Sequence, residues 1–220
     1  MKRTIILLAL ILIIATAMWL SYTDTARQVE VTDLPWQVEV LPDGTSRVFG
    51  INLGRSSLKE VSQAFEAIPE IAVFQEADGQ LRLEAYFGRI RLGVLEARVV
   101  AHVAVDAASL AAMVARAPSS EPMPSGARKL GLTEDDIAAV YGETVDALTY
   151  IPTAEYDAQI VETRFGEPAA IRQINETQRY WLYPGIGLAL LLGDEEREVL
   201  EYVPPRDFDA LEARLPAAVE

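Results

Sequence analysis

The fold is decided in IAVFQEADGQLRLEAYF, residues 71–87. Two runs, Ile71 to Ala77 and Gln80 to Phe87, flank Asp78-Gly79, a dipeptide that supplies the positive φ angles of a two-residue hairpin turn. Gly88 then breaks the alternation. Leu81, Leu83, Ala85 and Phe87 fall on odd positions, whereas Ile90, Leu92 and Val94 fall on even ones, so a bulge or second turn is predicted there. Leu95 to Val105 gives a further strand, and Asp106 caps a helix carrying Leu110, Met113 and Val114.

Upstream, Ser57-Leu-Lys-Glu60 has the form of a capping box, in which serine and glutamate satisfy each other's backbone N–H groups. Leu58, Val61 and Phe65 follow at helical spacing, so an amphipathic helix ends before Pro69. Short strands are expected at Trp36 to Val40 and Arg47 to Asn52. Downstream, Ala117 to Ala127 holds three prolines and no apolar period, which reads as a linker.

Beyond it the scheme repeats. A short helix with Ile137, Val140 and Tyr141 precedes a strand from Val145 to Ile151. Thr153 opens a helix with Ile160, Val161 and Phe165, ended by Gly166 and Pro168. Strands follow at 170–175, 179–183, 187–192 and 197–203, and Phe208, Leu211 and Leu215 mark a last helix. At an offset of one hundred residues the halves match at Val61/Val161, Phe65/Phe165 and Ile71/Ile171, the basis for considering a duplication.

The reading is therefore α+β: an N-terminal transmembrane or signal helix followed by two small helix-plus-antiparallel-sheet modules. Residues 1–26 are the anchor or signal, 27–116 the first module, 117–127 the linker and 128–220 the second module. Arg164-Phe165-Gly166-Glu167-Pro168, then Arg179-Tyr180-Trp181-Leu182-Tyr183 and an apolar strand, resembles the SmpA/OmlA (BamE-like) pattern. The resemblance implies a fold like that of the β-lactamase inhibitor protein, a short helical pair on a small antiparallel sheet, often in tandem. It also implies a non-catalytic periplasmic module that binds other proteins. The match is fuller over 150–203 than over 53–105, where Glu66-Ala67-Ile68-Pro69 stands in for Gly-x-Pro. The family's lipoprotein cysteine is missing, which argues against the outer-membrane assembly role itself.

The N-terminus speaks to location. Lys2-Arg3 precedes an apolar run from Ile5 to Leu20, with Leu12 at its middle and Trp19 and Tyr22 at its far end. From Ile5 to Tyr22 a helix rising about 1.5 Å per residue reaches about 27 Å, close to a bilayer core of about 30 Å. Trp19 and Tyr22 then sit at interfacial depth, and the basic flank orients the N-terminus inward. Ile5, Leu12, Trp19 and Tyr22 are thus the expected anchor residues of an inner-membrane, single-pass protein with a periplasmic domain. Ala15-Thr16-Ala17 also meets the small-x-small rule of a signal peptidase, so a cleaved, secreted periplasmic form is the alternative.

Composition excludes several chemistries. With 19 basic and 33 acidic residues the net charge is −14, which repels nucleic acid. There is no cysteine, so disulfides, thiolate catalysis and cysteine-bound metal are absent. His102 is the only histidine and alternates with small apolar residues in a strand, the setting of a sheet histidine satisfied by a local partner. The acidic runs Glu134-Asp136 and Asp194-Glu196 lack calcium-loop spacing and read as a helix first turn and a hairpin tip. No cofactor, metal site or catalytic residue is expected. Trp181, Tyr183, Tyr180 and Trp36 are the expected binding residues, since three large aromatics within four positions exceed what one buried strand face uses; the alternative is that Trp181 and Tyr183 close the core against Phe165 and Leu188. The functional expectation is a membrane-tethered, non-catalytic interaction or accessory protein, with the bilayer and an envelope protein as partners. A carrier of a small apolar ligand, held between helices and sheet, is the alternative. An unrecognised hydrolase is the third option, and would need a cleft with two converging carboxylates.

Overall fold

The expected hairpin is the middle of a much larger sheet. The computed structural model describes residues 32–93, 95–193 and 197–219. The anchor residues Ile5, Leu12, Trp19 and Tyr22 lie outside the described residues, as does the acidic run at 194–196. Among the described residues no helix is long and apolar enough to cross a membrane.

Strand β4 (Glu70–Gln75) turns at Asp78-Gly79 into β5 (Leu81–Leu92). The phase change at Gly88 is a bulge: the register with β6 (Leu95–Val103) shifts between Tyr86 and Gly88, and Gly88 has φ +65°. The capping box also forms, with Ser57 Oγ accepting from Glu60 N–H ahead of helix α1 (Leu58–Ala64). Asp106 caps α2 (Ala107–Arg116), accepting from the N–H groups of Ala108 and Ser109.

The two-module expectation is corrected at β6. Its free edge does not end a module but pairs antiparallel with β9 (Val145–Pro152) of the second half, from Ala97↔Pro152 to Val103↔Val145. A nine-residue strand with buried Ala97, Val99, Ala101 and Val103 has one row of backbone groups left over after β5 is paired. Burying that strand requires a partner for the row, and β9 supplies it. The chain is thus predominantly β, and its main sheet has ten antiparallel strands in the order β10-β11-β12-β13-β9-β6-β5-β4-β8-β7. Here β7 is Ser120–Pro122, β8 Arg128–Leu130, β10 Ala170–Gln173, β11 Gln178–Tyr183, β12 Leu188–Gly193 and β13 Val199–Tyr202. The proline-rich stretch contains β7 and leads into β8, which pairs on β4.

One face of the sheet is covered by the main core. Helix α1 brings Leu58 and Val61, α3 (Glu134–Val140) brings Val140, and α4 (Ala158–Phe165) brings Val161. A three-stranded sheet of β1 (Glu39–Val40), β2 (Ser46–Val48) and β3 (Ile51–Leu53) joins them, and Phe49 stacks on Tyr150 at 5.1 Å. Tyr202, fully buried, donates its hydroxyl to Pro35 O at 2.9 Å and so ties the start of the domain to β13. Residues 32–220 form one unit. Both halves do place a helix before a meander, and Val61 and Val161 are equally buried. Ile71 and Ile171 differ: β4 is covered by β8, whereas β10 is an edge strand and leaves Ile171 55% exposed.

Helix α4 starts later than the sequence indicated, because Asp157 rather than Thr153 caps it, accepting from Ile160 N–H. The last helix, α5 (Phe208–Glu212), covers part of the opposite sheet face with a smaller core of Phe208, Leu211 and Leu215 on Tyr180, Leu182, Ala189 and Val203. Among the described residues, no helix covers the rest of that face.

A polar row across the open sheet face

Strand alternation decides which side chains reach the open face. Leu83 and Ala85 point into the main core, so Glu84 points out. The same holds for His102 between Ala101 and Val103, Thr149 between Leu148 and Tyr150, and Glu201 between Leu200 and Tyr202. Register then aligns them: Glu84 lies opposite His102, and Thr149 opposite Glu201. His102 Nε2 is 3.1 Å from Thr149 Oγ1, and His102 Nδ1 is 3.8 Å from Glu84 Oε1. A carboxylate, an imidazole, a hydroxyl and a second carboxylate therefore run in sequence across β5, β6, β9 and β13.

His102, Thr149 and Glu201 of this row floor a cleft of about 630 Å³ beside α5, with Leu211 and Arg214 on the helix side and Arg82 on the other. Arg172 fixes the helix end by donating to Glu212 O at 3.0 Å and Glu212 Oε1 at 2.6 Å. Burial sets the electrostatics. It raises the proton affinity of Glu84 and of Glu201 above the ordinary carboxylate value, against the lowering influence of Arg82 and, at Glu201, of Arg214. Asp146, at the mouth, is raised by the same cause. Burial, reinforced by the positive charges of Arg82 and Arg214, lowers His102 from 6.5 to about 4, so the ring is neutral near pH 7. Thr149 Oγ1 and the neutral ring share a hydrogen bond at Nε2, while Nδ1 faces Glu84.

The row invites comparison with a carboxylate–histidine–nucleophile triad, and two features oppose that chemistry. A ring of such low basicity is a poor acceptor for a nucleophile's proton at neutral pH. Thr149 also sits inside a strand paired on both sides, where the amides serve the ladder and leave none for an oxyanion. What the row offers is a set of fixed hydrogen-bonding groups. Among the described residues no group of three or more His, Cys, Asp or Glu is placed to hold a metal ion.

The aromatic residues expected at the binding surface lie elsewhere. Strand β11 is internal, covered at its edge by β10, so Trp181 and Tyr183 are buried in the main core at 7% and 6% exposure. Tyr183 donates to Gly166 O at 3.0 Å and its ring lies 6.0 Å from Phe165. Trp36, half-buried, meets Phe165 edge-on at 6.3 Å under the Arg164 guanidinium at 4.7 Å. Trp36 and Tyr183 thus share Phe165 as a neighbour, while Tyr180 is on the opposite face in the α5 core and borders the cleft. Sequence reasoning missed Glu84, Thr149 and Glu201. Each is a polar residue on the outward phase of a strand, which is ordinary until register sets them in line. Compared with protein-family models, curated proteins and solved structures, the chain matches none.

Proposed function

We propose that this chain is a non-catalytic accessory protein of the bacterial cell envelope, tethered by its N-terminal segment, that binds a partner protein through the cleft beside α5. One observation carries the reading: His102, Thr149 and Glu201, desolvated and aligned at the floor of a 630 Å³ hollow, with Glu84 behind His102 in the same row. Polar groups held out of water without full compensation are costly in the free protein and bind a complementary group tightly. The carrier reading has less support, because the helix–sheet interface is filled by Leu58, Val61, Val140 and Val161, all fully buried.

Site-specific photocrosslinking in native membranes tests it. A photoreactive residue at Gln80 or Ala210, which line the cleft, should yield one discrete protein adduct. The same residue at Glu39, on the exposed strand β1, should not. The adduct should disappear in Glu201→Gln and Thr149→Val. Equal adducts from all positions, or none from the cleft, overturn the reading.

A further inference from the structure

A second hollow, of about 610 Å³, lies where β9 ends, β11 begins and the chain enters β13. Its chemistry differs from that of the cleft beside α5. Glu198 is only 6% exposed, yet it lines this hollow and makes neither a hydrogen bond nor an ion pair among the described residues. Arg179 and Arg197 line the same space, and neither guanidinium lies within 4 Å of a carboxylate among the described residues. Glu155 and Asp157 line the hollow as well, and Asp157 is engaged as the cap of α4. Tyr156, 5% exposed, adds a phenol to the same wall, with its hydroxyl beside that of Tyr150.

A buried carboxylate without a partner favours a cation, whereas guanidinium groups favour a carboxylate or phosphate. A wall that presents both signs, with Glu198, Arg179 and Arg197 lacking ion-pair partners among the described residues, is complementary to a molecule that carries both. We infer that this hollow is a binding site for a small zwitterion, an amino acid or short peptide. Its carboxylate lies on Arg179 and Arg197, and its ammonium on Glu198. The volume falls within the range of small-ligand sites and exceeds a single small amino acid, so a dipeptide suits it well. This inference uses none of the residues of the α5 cleft and stands or falls apart from it.

Calorimetric titration of the full-length, detergent-solubilised protein with L-alanine and L-alanyl-L-alanine tests it. Saturable binding is expected, stronger for the dipeptide. Acetylating the amine or amidating the carboxylate of the dipeptide should each weaken binding by about tenfold or more. Glu198→Gln and Arg179→Gln should each do the same, while circular-dichroism melting in the absence of ligand establishes that both variants remain folded. Undiminished binding of the acetylated dipeptide would show an anion site only and overturn the zwitterion assignment. Absence of binding by either zwitterion, or binding unaffected in both folded variants, would also overturn it. Should both variants fail to fold, the milder Arg197→Lys must still weaken the dipeptide, because a lysine loses the forked carboxylate contact.

Discussion

The imidazole of His102 and the hydroxyl of Thr149 are 3.1 Å apart although 47 residues separate them in the chain. The contact exists because β6 and β9 pair, and it makes the ring a reporter of the open sheet face.

As the chain's only histidine, His102 gives unambiguous ring signals in an NMR titration. Its proton affinity should lie near 4 rather than 6.5. With the folded value below the unfolded one, the unfolded chain binds the proton first as pH falls. The ring's contribution to stability is therefore complete above about 6.5 and is lost between there and about 4. Glu84 and Glu201 have the opposite sign, since raised carboxylates favour the folded state on acidification. Subtracting the pH–stability curve of His102→Gln from that of the wild type isolates the histidine. A titration midpoint at or above 6.5 would show that the ring is not desolvated.

Trp181→Ala should cost about 3–5 kcal/mol of stability in urea unfolding, the range for removing a buried aromatic side chain. Tyr183→Phe, which removes only the donor to Gly166 O, should cost about 1 kcal/mol. Near-native unfolding of Trp181→Ala would mean that the ring is not part of the core.

Two glycines with positive φ should respond differently to a methyl group. Gly187 has φ +70°, its carbonyl accepts from Val203 N–H, and a Cβ there would lie 2.0 Å from Val203 O. Gly88 has φ +65° with nothing within 4 Å of the added carbon. Gly88→Ala should cost about 1 kcal/mol from backbone strain alone. Gly187→Ala should lower the melting temperature far more, and equal losses would contradict the close approach of the two strands.

Arg172→Ala removes both bonds to Glu212 and with them the anchor of α5. Hydrogen exchange should accelerate across 208–215 while β6 and β9 keep their protection. Acceleration throughout the sheet would place Arg172 among the determinants of the whole fold.

Local signals in the sequence suffice where a few adjacent residues decide the outcome. Asp78-Gly79 turns the hairpin, Ser57 and Glu60 cap α1, and Gly88 marks the bulge. Pairing between distant strands left no such mark. Nothing within Leu95–Val103 or Val145–Pro152 names the other as a partner, so two modules were expected where one sheet forms. The prolines of 117–127 hid β7, because a sheet edge tolerates Pro122 as readily as a linker does. The aromatic run is buried for a related reason. Tyr180 and Leu182 serve one core while Trp181 and Tyr183 serve the other, so a strand covered on both faces used all of its large side chains.

The joining of β6 to β9 also imposes an order of events on synthesis. The chain emerges N-terminus first, and β5 and β6 are complete some forty residues before Val145 follows. During that interval a long strand edge with Val99, Ala101 and Val103 beside it has no native neighbour. Such an edge is a template for any passing strand, and non-local pairing of this kind folds slowly. A ribosome stalled near Pro124 would therefore release a fragment prone to self-association rather than an independent half. The nascent protein needs either rapid completion or a chaperone that occupies β6 until β9 arrives.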